Sequence, residues 1–233
     1  SERSGLSHRS NGGASPTDKI TSDQYSEEEI RAVVDEAAMA GLYVSSHTYT
    51  SRSIQRAVRN GVLSVEHGNL ADQETLELIL ASGAFLVPTL IIFKSLAEEG
   101  VADGLPAELA TKIGDMLDQG MRVVEQAHRL GIRMAFGTDL IGAMHRRQSE
   151  EFDLRADLIA APDLVRMATV NGAALIRRET SLGQVKPGFE ADLFAGRGTP
   201  LENVRLLANP SGNLALVMKG GRIGGRLSCA DRP

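Results

Sequence analysis

The chain has one cysteine, no tryptophan, only 4% aromatic residues and no excess of positive charge. It also has no apolar run near the roughly 20 residues that span a bilayer. The single Cys229, in a polar tail, excludes an intramolecular disulfide framework. That points to a reducing compartment, the cytoplasm, with the periplasm left open. Ser1–Lys19 lacks the apolar core of a signal peptide. With 25 Lys and Arg against 30 Asp and Glu, the net charge is −5. Neither nucleic acid nor an anionic membrane is expected as a partner. SERSGLSHRSNGGASPTDKI carries no initiator Met and no strand or helix pattern. Residues 1–25 are expected to be irregular, and the chain reads as the middle of a longer protein or as a segment whose upstream half was lost.

What the chain does have is a repeated plan. AGLYVSSH (Ala40–His47), NGVLSVEH (Asn60–His67), SGAFLVPT (Ser82–Thr89) and LGIRMAFGTD (Leu130–Asp139) each place a glycine after a helix-like segment. A short apolar run and a polar tip follow. Glycine is the usual residue past a helix end, where positive φ costs it nothing. An apolar run without alternation reads as a strand of a parallel sheet, buried on both faces. The predicted strands are Leu42–Ser46, Val62–Glu66, Ala84–Val87 and Arg133–Gly137.

The helices between them carry their own signals. Ser26-Glu27-Glu28-Glu29 is a capping box that opens a helix through Met39, and Asp72 caps Gln73–Ala81. A long connection, Leu90–Gly131, holds a Gly100–Pro106 loop and a helix from Ala107 with an expected break near Gly120. Glu150–Ala160 and Asp163–Ile176 read as helices, the second capped by Asp163. After residue 177 Gly and Pro are frequent; Ala191–Phe194, Val204–Leu207 and Leu214–Lys219 read as strands, with a hairpin at Gly220-Gly221. The expected domains are 26–177, a β/α portion, and 178–226, a small β-rich segment, with 227–233 a tail. Helix-linked parallel strands with polar tips suit a (β/α)8 barrel or an open doubly wound sheet. Half a barrel leaves two open sheet edges, to be covered by a missing N-terminal half or by a homo-oligomer partner.

Three of the four tips, His47, His67 and Asp139, are residue types that hold a divalent metal. Both histidines lie six positions after their glycine, which aims both imidazoles at one rim. An open catalytic zinc site uses about three protein ligands and a water. Asp139 is either the third ligand or the base that takes a proton from metal-activated water. Glu66, next to His67, is expected to point away by alternation and to form a structural ion pair. Tyr49 and Thr50 either meet whatever binds the metal or pack the loop. His145, with Arg146 and Arg147, forms a cationic loop that either holds a substrate carboxylate or is simply solvated. His128 is read as a helix residue that packs or faces solvent, and no role is assigned to His8.

The runs HTYTSRSIQRAVRNGVLSVEHGNL, GAFLVPTL, AFGTDLIGAMHRRQSEEF and ATVNGAALI…LGQVKPGFEADLF resemble the metal-dependent amidohydrolase superfamily. Within it the chain is most similar to the imidazolonepropionase-like and Xaa-Pro dipeptidase-like amidohydrolases. The likeness spans about Gly12 to Ile223. It implies an α/β fold, here strands 5–8 of a TIM-like (β/α)8 barrel with their helices plus a small C-terminal β segment. It implies one or two zinc ions in the family. His47 and His67 resemble the strand-5 and strand-6 ligands, and Asp139 the strand-8 aspartate that binds metal and shuttles the proton. Tyr49, His145 and Arg146 resemble substrate-binding residues. The family's strand-1 His-x-His pair has no counterpart here. Ser7–Ser10 stands where the bridging lysine belongs, and Lys19 lies on the wrong side of Gly12-Gly13. At most one ion is therefore expected. The expected function is metal-dependent hydrolysis of a C–N bond in a dipeptide or N-acyl amino acid. The alternatives are an inactive amidohydrolase-like fragment or a non-enzymatic metal- or ligand-binding module.

Overall fold

Ser26 begins the first helix, α1 (Glu27–Met39), by a reciprocal pair of bonds: its hydroxyl accepts from the Glu29 amide at 3.2 Å, and its own amide donates to the Glu29 carboxylate at 2.7 Å. The computed structural model describes residues 5–9, 22–100 and 107–226. Gly12-Gly13, Ser10, Lys19, the 101–106 part of the expected loop and the 227–233 tail with Cys229 lie outside the described residues.

The chain separates into two compact units, Ser1–Leu140 and Ile141–Pro233. In the first, β1 (Gly5–Arg9), β2 (Tyr43–Thr50), β3 (Ser64–Leu70) and β4 (Phe85–Val87) form one parallel sheet in sequential order. α1, α2 (Ser51–Arg59) and α3 (Gln73–Ser82) cross between them. Parallel crossovers are almost always right-handed, so strands added in one direction place every crossing helix on the same face. That face is apolar: Ile30 and Ala37 of α1 and Ala57 of α2 bury against Val44 and Val62. Asp72 caps α3 through the Thr75 amide at 2.9 Å, and Gly83 ends it at φ +71. The fold is thus an α/β arrangement with a parallel sheet.

Several expectations are corrected. Gly5–Arg9 is a strand inside the segment expected to be irregular, and it pairs Ser7 with Ser45 and Arg9 with His47. The predicted strand Arg133–Gly137 is reduced to a single bridge, Leu86 with Met134. Leu90–Glu99 is a helix, α4, whose first turn, Leu90 to Phe93, is wholly buried. α5 (Ala107–Leu130) runs through Gly120 without a break. A Cβ at residue 120 would stand 2.5 Å from Asn69 Nδ2 and 2.9 Å from Leu90 Cδ2, so the glycine is there for close packing.

In the second unit, a short 3-10 helix (Gly142–Arg147) precedes α6 (Glu150–Arg155) and α7 (Ala161–Arg166). Asp163 does not cap α7; Ala160 stands at the cap position and Pro162 in the first turn. The helix continues as one π-turn, Met167–Asn171, before Gly172–Leu175. Val204–Ala208 is a 3-10 helix, where Val204–Leu207 was expected as a strand. Asn203 and Asn209 bracket it, and the Asn203 side chain accepts from the Arg205 amide. Arg205 in turn donates to Asp153 at 2.8 Å and Asp157 at 2.6 Å. β5 (Leu193–Gly196), β6 (Leu214–Lys219) and β7 (Arg222–Arg226) form an antiparallel sheet, and Gly220 and Gly221, both at positive φ, make the hairpin turn. Among the described residues no helix is long and apolar enough to cross a membrane.

Candidate functional site

β2 and β3 run on past the expected ends at Ser46 and Glu66, so His47 and His67 lie within the strands, and the sheet face opposite the crossing helices is polar there. Ser45 pairs in register with Ser64, and His47 with Glu66. Partners on parallel strands present their side chains on the same face. The Ser64 hydroxyl donates to Glu66 at 2.6 Å, as residues two apart on one face do. Strict alternation would turn His67, the partner of Thr48, to the opposite face. The backbone prevents this: His67 has φ +71 and Gly68 φ +66, two left-handed residues in succession.

With that turn the rings meet. His67 Nε2 lies 2.7 Å from His47 Nδ1, and the two rings cross at 76° with centroids 4.4 Å apart. His67 Nδ1 lies 2.7 Å from the Thr89 hydroxyl. Tyr49 stacks on His67 at 4.9 Å and 23°, and meets His47 and Phe93 edge-on. His67 is 4% exposed and Tyr49 5%, so the histidine pair has a dry aromatic wall. Glu66 takes part too. Burial chiefly pushes its carboxyl up to about 7, with the Ser64 hydrogen bond opposing and the Asp139 carboxylate adding to the rise. The expected ion pair is absent: among the described residues no cation pairs with Glu66, and it faces the side of His47.

Backbone strain marks the same residues. Among the described residues four non-glycine residues have positive φ, and two of them are His67 and Asp139, the latter at +52. Left-handed backbone at ordinary residues gathers where function over-determines the geometry. No sequence pattern announced it, although the glycine after His67 was a signal. A Cβ on Gly68 would lie 2.7 Å from Leu86 Cδ1. Gly68→Ala is expected to cost about 2 kcal/mol, combining left-handed strain with that clash. Urea unfolding checks it; an unchanged midpoint would show that the turn relaxes freely.

The structure therefore brings together His47, His67, Tyr49 and Thr89, with Glu66 and Asp139 close enough to interact electrostatically. His145 and Arg146 belong to the second unit, on its 3-10 helix, where Arg146 donates to the Ala143 carbonyl at 2.8 Å. Two imidazole nitrogens facing each other across one hydrogen bond fit a shared divalent ion, whose bonds to nitrogen are about 2.0–2.1 Å long, after a small parting of the rings. The fit extends to two ligands. Among the described residues no group of three or more His, Cys, Asp or Glu is gathered for a metal.

Comparison with known proteins gives a consistent set. The model of the amidohydrolase family matches residues 16–224. Ochratoxinase of Aspergillus niger is 29% identical over 216 residues, which is 92% of this chain and 44% of that protein. The solved structure of a prolidase complexed with N-methylphosphonate-L-proline superposes with a TM-score of 0.89 at 41% identity, covering 94% of this chain and 54% of that one. A Xaa-Pro dipeptidase with methionine bound in its active site superposes at 0.84 with 29% identity, again over 94% and 54%. The chain thus spans about half the length of these relatives.

Proposed function

Because the chain belongs to the amidohydrolase family, we propose that it forms part of a metal-dependent hydrolase that cleaves the C–N bond of a dipeptide or N-acyl amino acid. The observation that carries this reading is the facing pair of ring nitrogens, His67 Nε2 and His47 Nδ1, on adjacent parallel strands. The similar prolidase and dipeptidase point to the substrate class. In this reading the sheet is one side of a (β/α)8 barrel. The rest of its wall comes from chain outside these residues or from a second copy of this chain.

His47 and His67 would hold one zinc ion, with Asp139 the third ligand. When bound, the ion supplies Lewis acidity toward the amide carbonyl and makes a water acidic enough to act as nucleophile near neutral pH. The chain's own residues do the rest. The Asp139 carboxylate accepts a proton and passes it to the leaving nitrogen. Tyr49 fixes the His67 ring by stacking and keeps bulk water away from it. Tyr49, His145 and Arg146 are the proposed substrate-side residues, the arginine suited to a carboxylate. Small-molecule substrates are proposed, with neither nucleic acid nor membrane as partner.

A second reading is a metal- or ligand-binding module without turnover, which the two facing imidazoles alone would serve. One experiment separates them. The purified chain is assayed for zinc and for hydrolysis of a panel of Xaa-Pro dipeptides. About one equivalent of zinc is expected, with turnover, and His47→Ala is expected to lose both. Zinc without turnover selects the second reading. A wild type that takes up no zinc overturns the first.

A further inference from the structure

Asn69, two residues past His67, is 1% exposed, yet only half of its side chain follows the rule that buried polar atoms are paired. Its Nδ2 donates to the Met116 carbonyl, in the middle of α5, at 3.0 Å. Its Oδ1 is buried as well and has no hydrogen-bond partner among the described residues. A leucine of similar size would fill the space without an orphaned acceptor, so burial does not explain the residue. The one bond it makes does. A helix carbonyl keeps a second lone pair beyond the one its own ladder uses. The side chain one turn further on ordinarily covers it, because helical side chains lean toward the N-terminus. Residue 120 stands in that covering place, and it is glycine. A Cβ there would lie 2.5 Å from Asn69 Nδ2 and 2.9 Å from Leu90 Cδ2, so the notch in α5 receives both side chains.

Both belong to segments that hold the His67 ring. Leu90 follows Thr89, whose hydroxyl lies 2.7 Å from His67 Nδ1. Asn69 follows directly on the left-handed turn of His67 and Gly68. That turn is a bulge. From the pair Thr48–His67 to the pair Thr50–Leu70, β2 advances by two residues and β3 by three. A bulge re-aims a side chain, and here the side chain is that of His67. Left-handed backbone at a histidine carries strain, which persists only where the surroundings hold it. We propose that Asn69 is the positioning residue of the ring pair. Seated in the Gly120 notch and bonded to Met116, it anchors the bulge that turns His67 onto His47. α5 thereby governs the encounter of two rings carried by the sheet. This concerns the pair itself and does not depend on what the pair binds.

The test uses the 233-residue chain with 13C-labelled histidine and tyrosine, in the presence of a chelator. Cross-peaks from the His67 ring to the rings of His47 and Tyr49, whose centroids lie 4.4 and 4.9 Å away, report the encounter. His67→Asn identifies them by their loss. Asn69→Leu removes the donor, and Gly120→Ala fills the notch while leaving β3 unchanged. Both are expected to abolish the cross-peaks between His67 and His47. Alanine suits a helix better than glycine, so a loss in Gly120→Ala does not stem from a weakened α5. Ile30→Val, in the core between α1 and the sheet, is the control. It should lower the urea midpoint and leave the cross-peaks in place. Cross-peaks that persist in either folded variant overturn the proposal. So does their loss in Ile30→Val, which would make Asn69 one packing residue among many. If Asn69→Leu does not fold, Gly120→Ala decides.

Discussion

Asp139→Asn is expected to lower dipeptide turnover by about 10²–10⁴-fold, the range associated with losing a positioned proton carrier. Asparagine is the right replacement because residue 139 sits at φ +52, a backbone that Asn tolerates as well as Asp. The change removes the negative charge and the ability to take up a proton while keeping the size of the side chain and the backbone conformation. Zinc content measured on the same preparation then separates the two roles of the carboxylate. A ligand role predicts that zinc falls with turnover; a proton-carrying role predicts that zinc stays while turnover falls. Turnover within tenfold of wild type would remove Asp139 from the mechanism altogether.

The largest effect on stability is expected in the second unit. Glu151 and Arg155 form an ion pair one helical turn apart along α6, and both side chains have no solvent exposure. Arg155 donates from Nε to Glu151 Oε1 at 2.6 Å. Bringing two charges out of water is costly, and their mutual attraction offsets that cost only while both are present. Glu151→Ala would leave a guanidinium buried without that carboxylate, and the expected loss is about 3–5 kcal/mol. That is a large share of the 5–15 kcal/mol that ordinarily separates folded from unfolded protein. Replacing both residues together, Glu151→Leu with Arg155→Met, should return most of it. Far-UV circular dichroism in urea measures both variants. A single-variant loss below about 1 kcal/mol would mean that water reaches Arg155 after all.

The parts of the fold that the sequence disclosed are those with a local physical signature. Ser26 with Glu29, Asp72 with Thr75, Gly83 past its helix and Gly220-Gly221 all act within a few residues of themselves. Elements without such a signature were missed. α4 begins LIIF and is buried around its first turn, so no polar face betrays a helix. GLSHR becomes strand β1 through pairing with Tyr43–His47, a long-range contact that its own composition does not advertise. Val204–Leu207 is apolar enough for a strand, yet the asparagines on either side bend it into a 3-10 helix.

The site divides in the same way. Equal spacing from Gly41 and Gly61 singled out His47 and His67, and the two rings do meet. The reason given by spacing was incomplete. The strands pair one residue out of step, His47 opposite Glu66, and the left-handed turn at His67 makes up the difference. Glu66 followed its pleat onto the side of His47, where alternation had suggested an ion pair elsewhere. Thr89 had been passed over as the one tip that was not a ligand type.

The turn at His67-Gly68 also sets what a protein engineer can move. Grafting β2 and β3 onto another parallel sheet would carry the turn but leave behind Leu86 and Thr89, which pack against Gly68 and the far side of the His67 ring. The portable unit is larger: Tyr43–Thr50, Ser64–Leu70 and Phe85–Thr89 together. Leu86 leaves room only for a residue without a Cβ at 68, and Thr89 steadies the far side of the ring. A scaffold that offers all three strands takes in the pair together with the contacts that Leu86 and Thr89 make to its turn and its outer ring.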